Sequence, residues 1–189
     1  MISLRTYLII LAILVVERIF ELDLARRNAR RAFDRGAVEV GHAHYRVMVA
    51  FHALFIVSCA AEAFFFPHSF PKVVAWIALS AEIAAQVLRY WAVSTLGERW
   101  NTRIVVTPER APVTTGPYRF MRHPNYLAVV IEIAAVPLIG GAIFTAIVFS
   151  IGNALILAVR IPAEERAMGG QYAEALGSRR RFIPGLRNG

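Results

Sequence analysis

Cysteine is almost absent from this chain of 189 residues: its single cysteine, Cys59, stands inside an apolar block. One thiol can form neither a disulfide framework nor a thiolate metal site within one chain. His42 and His44 stand close together, but no further ligands converge on them, so no metal site is expected. The sequence also lacks the G-x-G-x-x-G pattern, which leaves the common soluble nucleotide-binding fold without support.

Long apolar blocks dominate the composition instead. Hydrophobic residues make up 57% of the chain and the mean hydropathy is +0.52, which is too apolar for an ordinary soluble domain. The net charge of +8 comes from 20 arginines and one lysine against 13 acidic residues. The arginines cluster beside the apolar blocks, which favours membrane orientation and anionic head groups over a nucleic-acid partner. The sequence therefore predicts an integral membrane protein of one domain.

Five apolar blocks predict an all-α fold with about five transmembrane helices. The first block is interpreted as a retained helix rather than a signal peptide, because the segment has neither an n-region of several positive charges nor a small-residue cleavage site. Eighteen residues at ~1.5 Å each give ~27 Å, close to one crossing. The arginine-rich stretch after it is expected to form a separate amphipathic helix on the bilayer. Pro162 is expected to end or kink the fifth helix, before a surface helix at residues 163–176. The blocks run over residues 7–24, 45–66, 73–96, 125–139 and 142–161.

A polar connector over residues 97–123 begins the second of two parts: a three-helix N-terminal part, residues 1–96, and a catalytic part, residues 97–189. Several prolines in the connector favour an irregular loop, and its β-branched run Ile104–Val106 is too short to predict a strand. Gly140 and Gly141 favour a tight turn, so the fourth and fifth blocks are expected to form a helical hairpin.

The distribution of arginine predicts the orientation in the membrane. If the segment between the first two blocks is cytoplasmic, five crossings place the connector and the C-terminal tail on the same side. These three segments hold most of the arginines, whereas the opposite side holds only Arg5 and Lys72. We therefore expect a multi-pass protein of a bacterial inner membrane, with its N-terminus outside and its C-terminus and active site in the cytoplasm.

Two polar segments at membrane boundaries are candidates for chemistry. GPYRFMRHPNY, residues 116–126, is so polar that it is costly at a membrane entry without a role, although an interfacial turn with aromatic anchors is the plainer interpretation. Pro124 biases His123 to an extended backbone and can begin the fourth helix. Arg160 and Glu164 would share one helix face if the fifth helix continues between them. Ordinary capping and a snorkelling arginine explain that second segment equally well.

Together the two segments resemble the isoprenylcysteine carboxyl methyltransferase family. Its members carry an Arg-His-Pro-x-Tyr motif, then a helical hairpin, then an arginine followed by paired glutamates. Here the first motif is the run from Arg122 to Tyr126, and the second is Arg160 with Glu164-Glu165. Tyr172 and the ending Arg181-Phe182-Ile183-Pro184 are also similar to the family's C-terminus. The resemblance covers about residues 97–184.

This resemblance implies S-adenosyl-L-methionine as methyl donor, and no metal. Arg160 would face the reacting group of the substrate. Tyr118 and Tyr126 can offer aromatic faces to a cation or a base, and Glu164 can take the ammonium group of the cofactor. The residues implied to line the cofactor site are Arg110, Ala111, Pro112, Val113, Tyr118, His123, Pro124, Asn125, Tyr126 and Glu164.

The acceptor is expected to be lipophilic: a small molecule or a lipidated group, entering from the bilayer among membrane lipids. It is either a prenylcysteine-type carboxylate or a phenolic or pyrone lipid hydroxyl, since small bacterial members that this chain resembles methylate hydroxyls of long-chain polyketide lipids. Glu132 lies seven residues after Asn125 and shares its helix face. It is a candidate catalytic residue that would assist a hydroxyl acceptor; a helix–helix hydrogen bond is the alternative.

Two other functions remain open at this point. Small membrane reductases that use NADPH are similar in carrying an Arg-His-Pro-Asn-Tyr motif, but they usually continue with Gly-Glu, whereas this chain has Leu127-Ala128. A non-enzymatic lipid-binding membrane protein would bind no nucleotide-like ligand. Further ionisable residues inside the apolar blocks are expected to form structural pairs rather than a second active site; they are Glu17, Arg18, His52, Glu62, Glu82 and Arg89.

Overall fold

The computed structural model describes residues 2–66, 70–107 and 111–183, with the backbone alone for 42–44. Helices form most of this part, with almost no sheet, which confirms the all-α membrane fold. Three helical stretches are long and apolar enough to cross a membrane, and α4 is a shorter apolar helix of 16 residues, so the number of crossings stays a prediction. The elements are α1 (Leu4–Phe33), β1 (Val38–Val40), α2 (His42–Phe65), α3 (Lys72–Leu96), β2 (Ile104–Val106), α4 (Pro124–Ile139) and α5 (Ile143–Leu176).

α1 is one continuous helix of 30 residues, so the separate amphipathic helix expected after residue 24 was wrong. Ser3 caps its first turn by accepting a hydrogen bond from the Thr6 amide at 3.1 Å. No proline or glycine lies between Leu4 and Phe33, and arginine and alanine propagate a helix well. The arginine-rich stretch therefore extends the helix beyond its apolar part.

α5 continues through Pro162, so the break predicted there was wrong. Non-helical backbone occurs instead at Gly169, with φ 73° and ψ −163°, a conformation that glycine adopts without strain. The predicted surface helix at residues 163–176 is thus the end of α5, bent at Gly169. As a result, Arg160 and Glu164 are one turn apart on the same helix face.

The core holds α3, α4 and α5 together, with α3 and α4 in the closest contact. Ile133 and Val136 of α4 are fully buried, and Phe149 of α5 packs on Phe55 of α2 with ring centroids 5.4 Å apart. Glu62 of α2 accepts hydrogen bonds from the amides of Phe144 and Thr145 at 3.0 and 2.7 Å, and so caps the start of α5.

A short antiparallel ribbon joins the loop after α1 to the connector, which the sequence did not predict. Val38 pairs with Val106 and Val40 with Ile104. Arg103 beside the ribbon forms a 3.0 Å ion pair with Glu39 and lies 4.9 Å from the centre of the Tyr45 ring. The ribbon therefore attaches the connector to the loop that follows α1.

Candidate active site

The motif segment folds as a 3₁₀ turn, Gly116–Arg119, followed by α4, which begins at Pro124. His123 has φ −127° and ψ 61°, so it is outside the helical region, as expected before a proline. The C-terminal tail lies alongside this segment: the amides of Arg122 and His123 donate to the carbonyls of Arg180 and Arg181, each at 3.0 Å. The motif and the tail therefore form one structure.

The carboxylate of Glu165 links the motif segment to the C-terminal tail. Its carboxylate contacts Arg122 at 3.0 Å, the His123 Nε2 at 3.0 Å and Arg181 at 2.7 Å. This hydrogen bonding raises the pKa of Arg181, which stays charged and paired. Sequence reasoning noted Glu165 only as part of a glutamate pair, because its three partners are separated from it along the chain. Since His123 Nε2 is already bonded to Glu165, this contact orients the histidine ring.

Tyr126 bridges the two segments that the sequence singled out. Its hydroxyl donates to the Glu164 carboxylate and accepts a hydrogen bond from Arg160 Nε at 2.8 Å. Arg160 is only 4% exposed, and its Nη2 donates to the Thr102 carbonyl at 2.6 Å. The guanidinium of this α5 residue is therefore held by α4 and by the connector. The Thr102 contact was not foreseen, because a backbone carbonyl leaves no signal in the sequence.

A cavity opens at the hydrogen-bonded residues Tyr126, Arg160 and Glu164. Its volume of about 830 Å³ is within the size range of ligand-binding pockets. Burial raises the pKa of Tyr118 in its wall, so this phenol is neutral. Pro124 and Glu132 do not line the cavity, and Arg110 lies outside the described residues. The predicted site residues that do line it are Ala111, Pro112, Val113, Tyr118, His123, Asn125, Tyr126, Arg160 and Glu164.

The same cavity extends between the membrane helices to a cluster of charged side chains. Arg18 and Glu21 of α1 form a 2.5 Å ion pair, and both line the cavity. Glu132 accepts hydrogen bonds from Arg89 at 2.5 Å and Gln86 at 3.1 Å, both on α3. Its observed contacts are thus the helix–helix hydrogen bonds of the alternative interpretation, and assistance to a hydroxyl acceptor stays a prediction.

Comparison with known proteins gives one matching family and two similar relatives. Residues 76–170 match the model of the isoprenylcysteine carboxyl methyltransferase (ICMT) family. The chain is 41% identical over 164 residues to the uncharacterized protein YpbQ of Bacillus subtilis (strain 168), covering 85% of this chain and 95% of that protein. It is 30% identical over 164 residues to an uncharacterized protein of Haemophilus influenzae, covering 86% and 92% respectively.

Proposed function

The chain belongs to the isoprenylcysteine carboxyl methyltransferase family, and on this premise we propose that it transfers a methyl group from S-adenosyl-L-methionine to an oxygen of a lipophilic acceptor. One observation supports this above the others. A single cavity is lined both by the polar motif residues at the helix ends and by apolar residues of the membrane helices. Such a cavity suits a polar cofactor at one end and a lipid at the other.

The motif end of the cavity offers polar atoms that fit this cofactor. The Asn125 Oδ1 and the Tyr172 hydroxyl are enclosed without a hydrogen-bond partner among the described residues, and both residues line the cavity. Enclosed polar atoms are destabilising unless a ligand or water bonds them. Glu164 can bind the ammonium of an amino acid, while Tyr118 and Tyr126 can stack on an adenine or face a sulfonium cation. A zwitterionic nucleoside with a cationic sulfur matches this set.

S-adenosyl-L-methionine supplies, when bound, an electrophilic methyl group on a sulfonium. The contribution of the chain is positioning, because methyl transfer is an in-line displacement that needs close alignment. Arg160, held by the Tyr126 hydroxyl and the Thr102 carbonyl, orients the acceptor oxygen by donating a further hydrogen bond. Tyr126 keeps both Arg160 and Glu164 in place, and the packed tail excludes water from the motif end.

The acceptor reaches the cavity from the bilayer. Ile19 of α1 and Val57 of α2 line the cavity and are 61% and 63% exposed, so its wall continues to the lipid-facing surface of these two helices. An apolar tail can stay in hydrocarbon while the head group enters. With the connector and tail in the cytoplasm, as the arginine distribution predicts, the cofactor enters from the opposite end.

Cofactor binding tests the proposal directly. S-adenosylhomocysteine is titrated into detergent-purified protein by calorimetry, with NADPH titrated in parallel. We expect S-adenosylhomocysteine to bind, Glu164→Ala to lose most of this binding, and Arg160→Ala to lose methyl transfer. Binding of NADPH in its place would support the reductase, and binding of neither would refute an enzyme that uses either cofactor.

A further inference from the structure

The charged cluster at the membrane end of the cavity has no part in the chemistry described above. Arg18, Glu21, His52 and Arg89 line this end, among apolar side chains of α1 and α2. Glu132, which bonds Arg89, lies seven residues beyond Asn125 on α4, or ~10 Å along the helix axis. The charged cluster and the motif end of the cavity are thus separated by roughly two turns of α4.

His52 presents a hydrogen-bond acceptor to this end of the cavity. Its Nδ1 lies 2.8 Å from the Met48 carbonyl oxygen. A carbonyl only accepts, so Nδ1 carries the proton, and in the neutral ring Nε2 is then an acceptor. Among the described residues, nothing forms a hydrogen bond with Nε2. The imidazole is thus oriented by its own helix with its second nitrogen available.

The charged cluster around His52 has no excess positive charge. Its two guanidinium groups, of Arg18 and Arg89, form ion pairs with three carboxylates, those of Glu17, Glu21 and Glu132. An additional carboxylate would meet three existing ones in a region where charge is poorly solvated. A neutral hydroxyl meets no such repulsion.

Hydrogen-bonding capacity remains in the cluster although both guanidinium groups already form ion pairs. Arg18 Nε and Arg89 Nε are donors, and Glu21 Oε1 is an acceptor, and all three lack a hydrogen-bond partner in the described part of the chain. Unpaired polar atoms within a membrane destabilise the protein. A hydroxyl both donates and accepts, so it complements a site that offers the two kinds of group together.

We propose that His52, Arg18 and Glu21 form a second polar subsite that binds a hydroxyl group of the acceptor head, separate from the oxygen that is methylated beside Arg160. His52 Nε2 accepts from this hydroxyl, and Arg18 donates to it. The subsite rests on the proposed function for its biological meaning, and it selects ring-type lipids with two oxygens over lipids with a single hydroxyl or carboxylate.

Binding of two lipids that differ by one hydroxyl tests the subsite without requiring methyl transfer. The probes are 5-pentadecylresorcinol and 3-pentadecylphenol, titrated into detergent-solubilised protein with and without S-adenosylhomocysteine. We expect the dihydroxy lipid to bind the wild type about tenfold more tightly, as one buried hydrogen bond with a favourable partner gives. His52→Leu is expected to reduce this preference to about threefold or less, while His52→Gln, which keeps an acceptor, retains part of it.

Ser80→Ala is the matched control. Ser80 also donates to a carbonyl four residues earlier, that of Trp76 at 2.9 Å, but it does not line the cavity. This variant should keep the full preference, and thermal melting confirms that each variant is folded. The subsite would be overturned if the wild type bound the two lipids with equal affinity. It would also be overturned if His52→Leu kept the full preference for the dihydroxy lipid. Cofactor binding without the preference refutes the subsite alone, and the preference without cofactor binding refutes only the methyltransferase.

Discussion

Removing one oxygen atom, the hydroxyl of Tyr126, should weaken cofactor binding without unfolding the protein. In Tyr126→Phe the ring still packs between α4 and α5, because only the hydroxyl contacts Arg160 Nε and the Glu164 carboxylate. Arg160 also keeps its 2.6 Å hydrogen bond to the Thr102 carbonyl. The change therefore loosens the two charged groups that are expected to hold cofactor and acceptor.

The expected loss follows from the two hydrogen bonds. Each joins the Tyr126 hydroxyl to a charged group, and such bonds contribute about 1.5–3 kcal/mol. Without the hydroxyl, Arg160 and Glu164, one turn apart, can pair directly and recover part of this. We expect a net loss of about 1.5 kcal/mol, which is roughly tenfold in the Kd for S-adenosylhomocysteine.

Calorimetry on the wild type and two hydroxyl-deletion variants measures this loss. Tyr90→Phe is the matched control, because Tyr90 also donates its hydroxyl to a glutamate, Glu17, but does not line the cavity. It should leave the Kd within roughly twofold of the wild type. If Tyr126→Phe also stays within that range, the network does not organise the cofactor site, and the reasoning from its geometry is refuted.

Three further predictions concern the scaffold. Glu62→Gln keeps one acceptor for the Thr145 donors but loses the charge at the start of α5, so it should destabilise the protein by about 1–2 kcal/mol in thermal unfolding; an unchanged Tm would show that the cap is dispensable. Glu165→Gln should release the tail and raise its rate of cleavage by trypsin about fivefold, and an unchanged rate would argue against the clamp. Gly140→Ala places a Cβ 2.3 Å from the ring of Tyr7, so folded yield and Tm should both fall, and a wild-type Tm would contradict the close packing.

The sequence was sufficient for α2, α3 and α4, and two of their ends coincide with strong local signals. α4 begins at Pro124, and α3 ends where Gly97 follows. Prediction from the sequence failed where tertiary packing overrode a local signal. Pro162 lies inside α5, and the bend occurs instead at Gly169, the first residue of the pair Gly169-Gly170. The nine predicted site residues around the cavity come from motifs, and their roles remain predictions.

Contacts between distant residues account for what the sequence could not predict. The ribbon pairs β1 with β2, and the nearby ion pair joins Glu39 and Arg103, 64 positions apart. Three-residue strands have no periodicity to detect, so only the folded chain reveals them. The partners of Glu165 are equally tertiary. These interactions determine how the motif, the tail and the cavity meet.

The ribbon also has a consequence for how such a protein can change. Residues 76–170, which match the family, supply the motif wall of the cavity, whereas α1 and α2 supply the lipid-facing wall and lie before that segment. The seam between the walls is the pairing of Val38–Val40 with Ile104–Val106, which uses backbone groups and therefore tolerates many side chains. Side chains join the two walls as well, since Glu62 of α2 caps the start of α5 and Tyr7 of α1 packs against Gly140. A chain that exchanges its first two helices, and with them this wall of the cavity, must therefore keep both the pairing and these contacts.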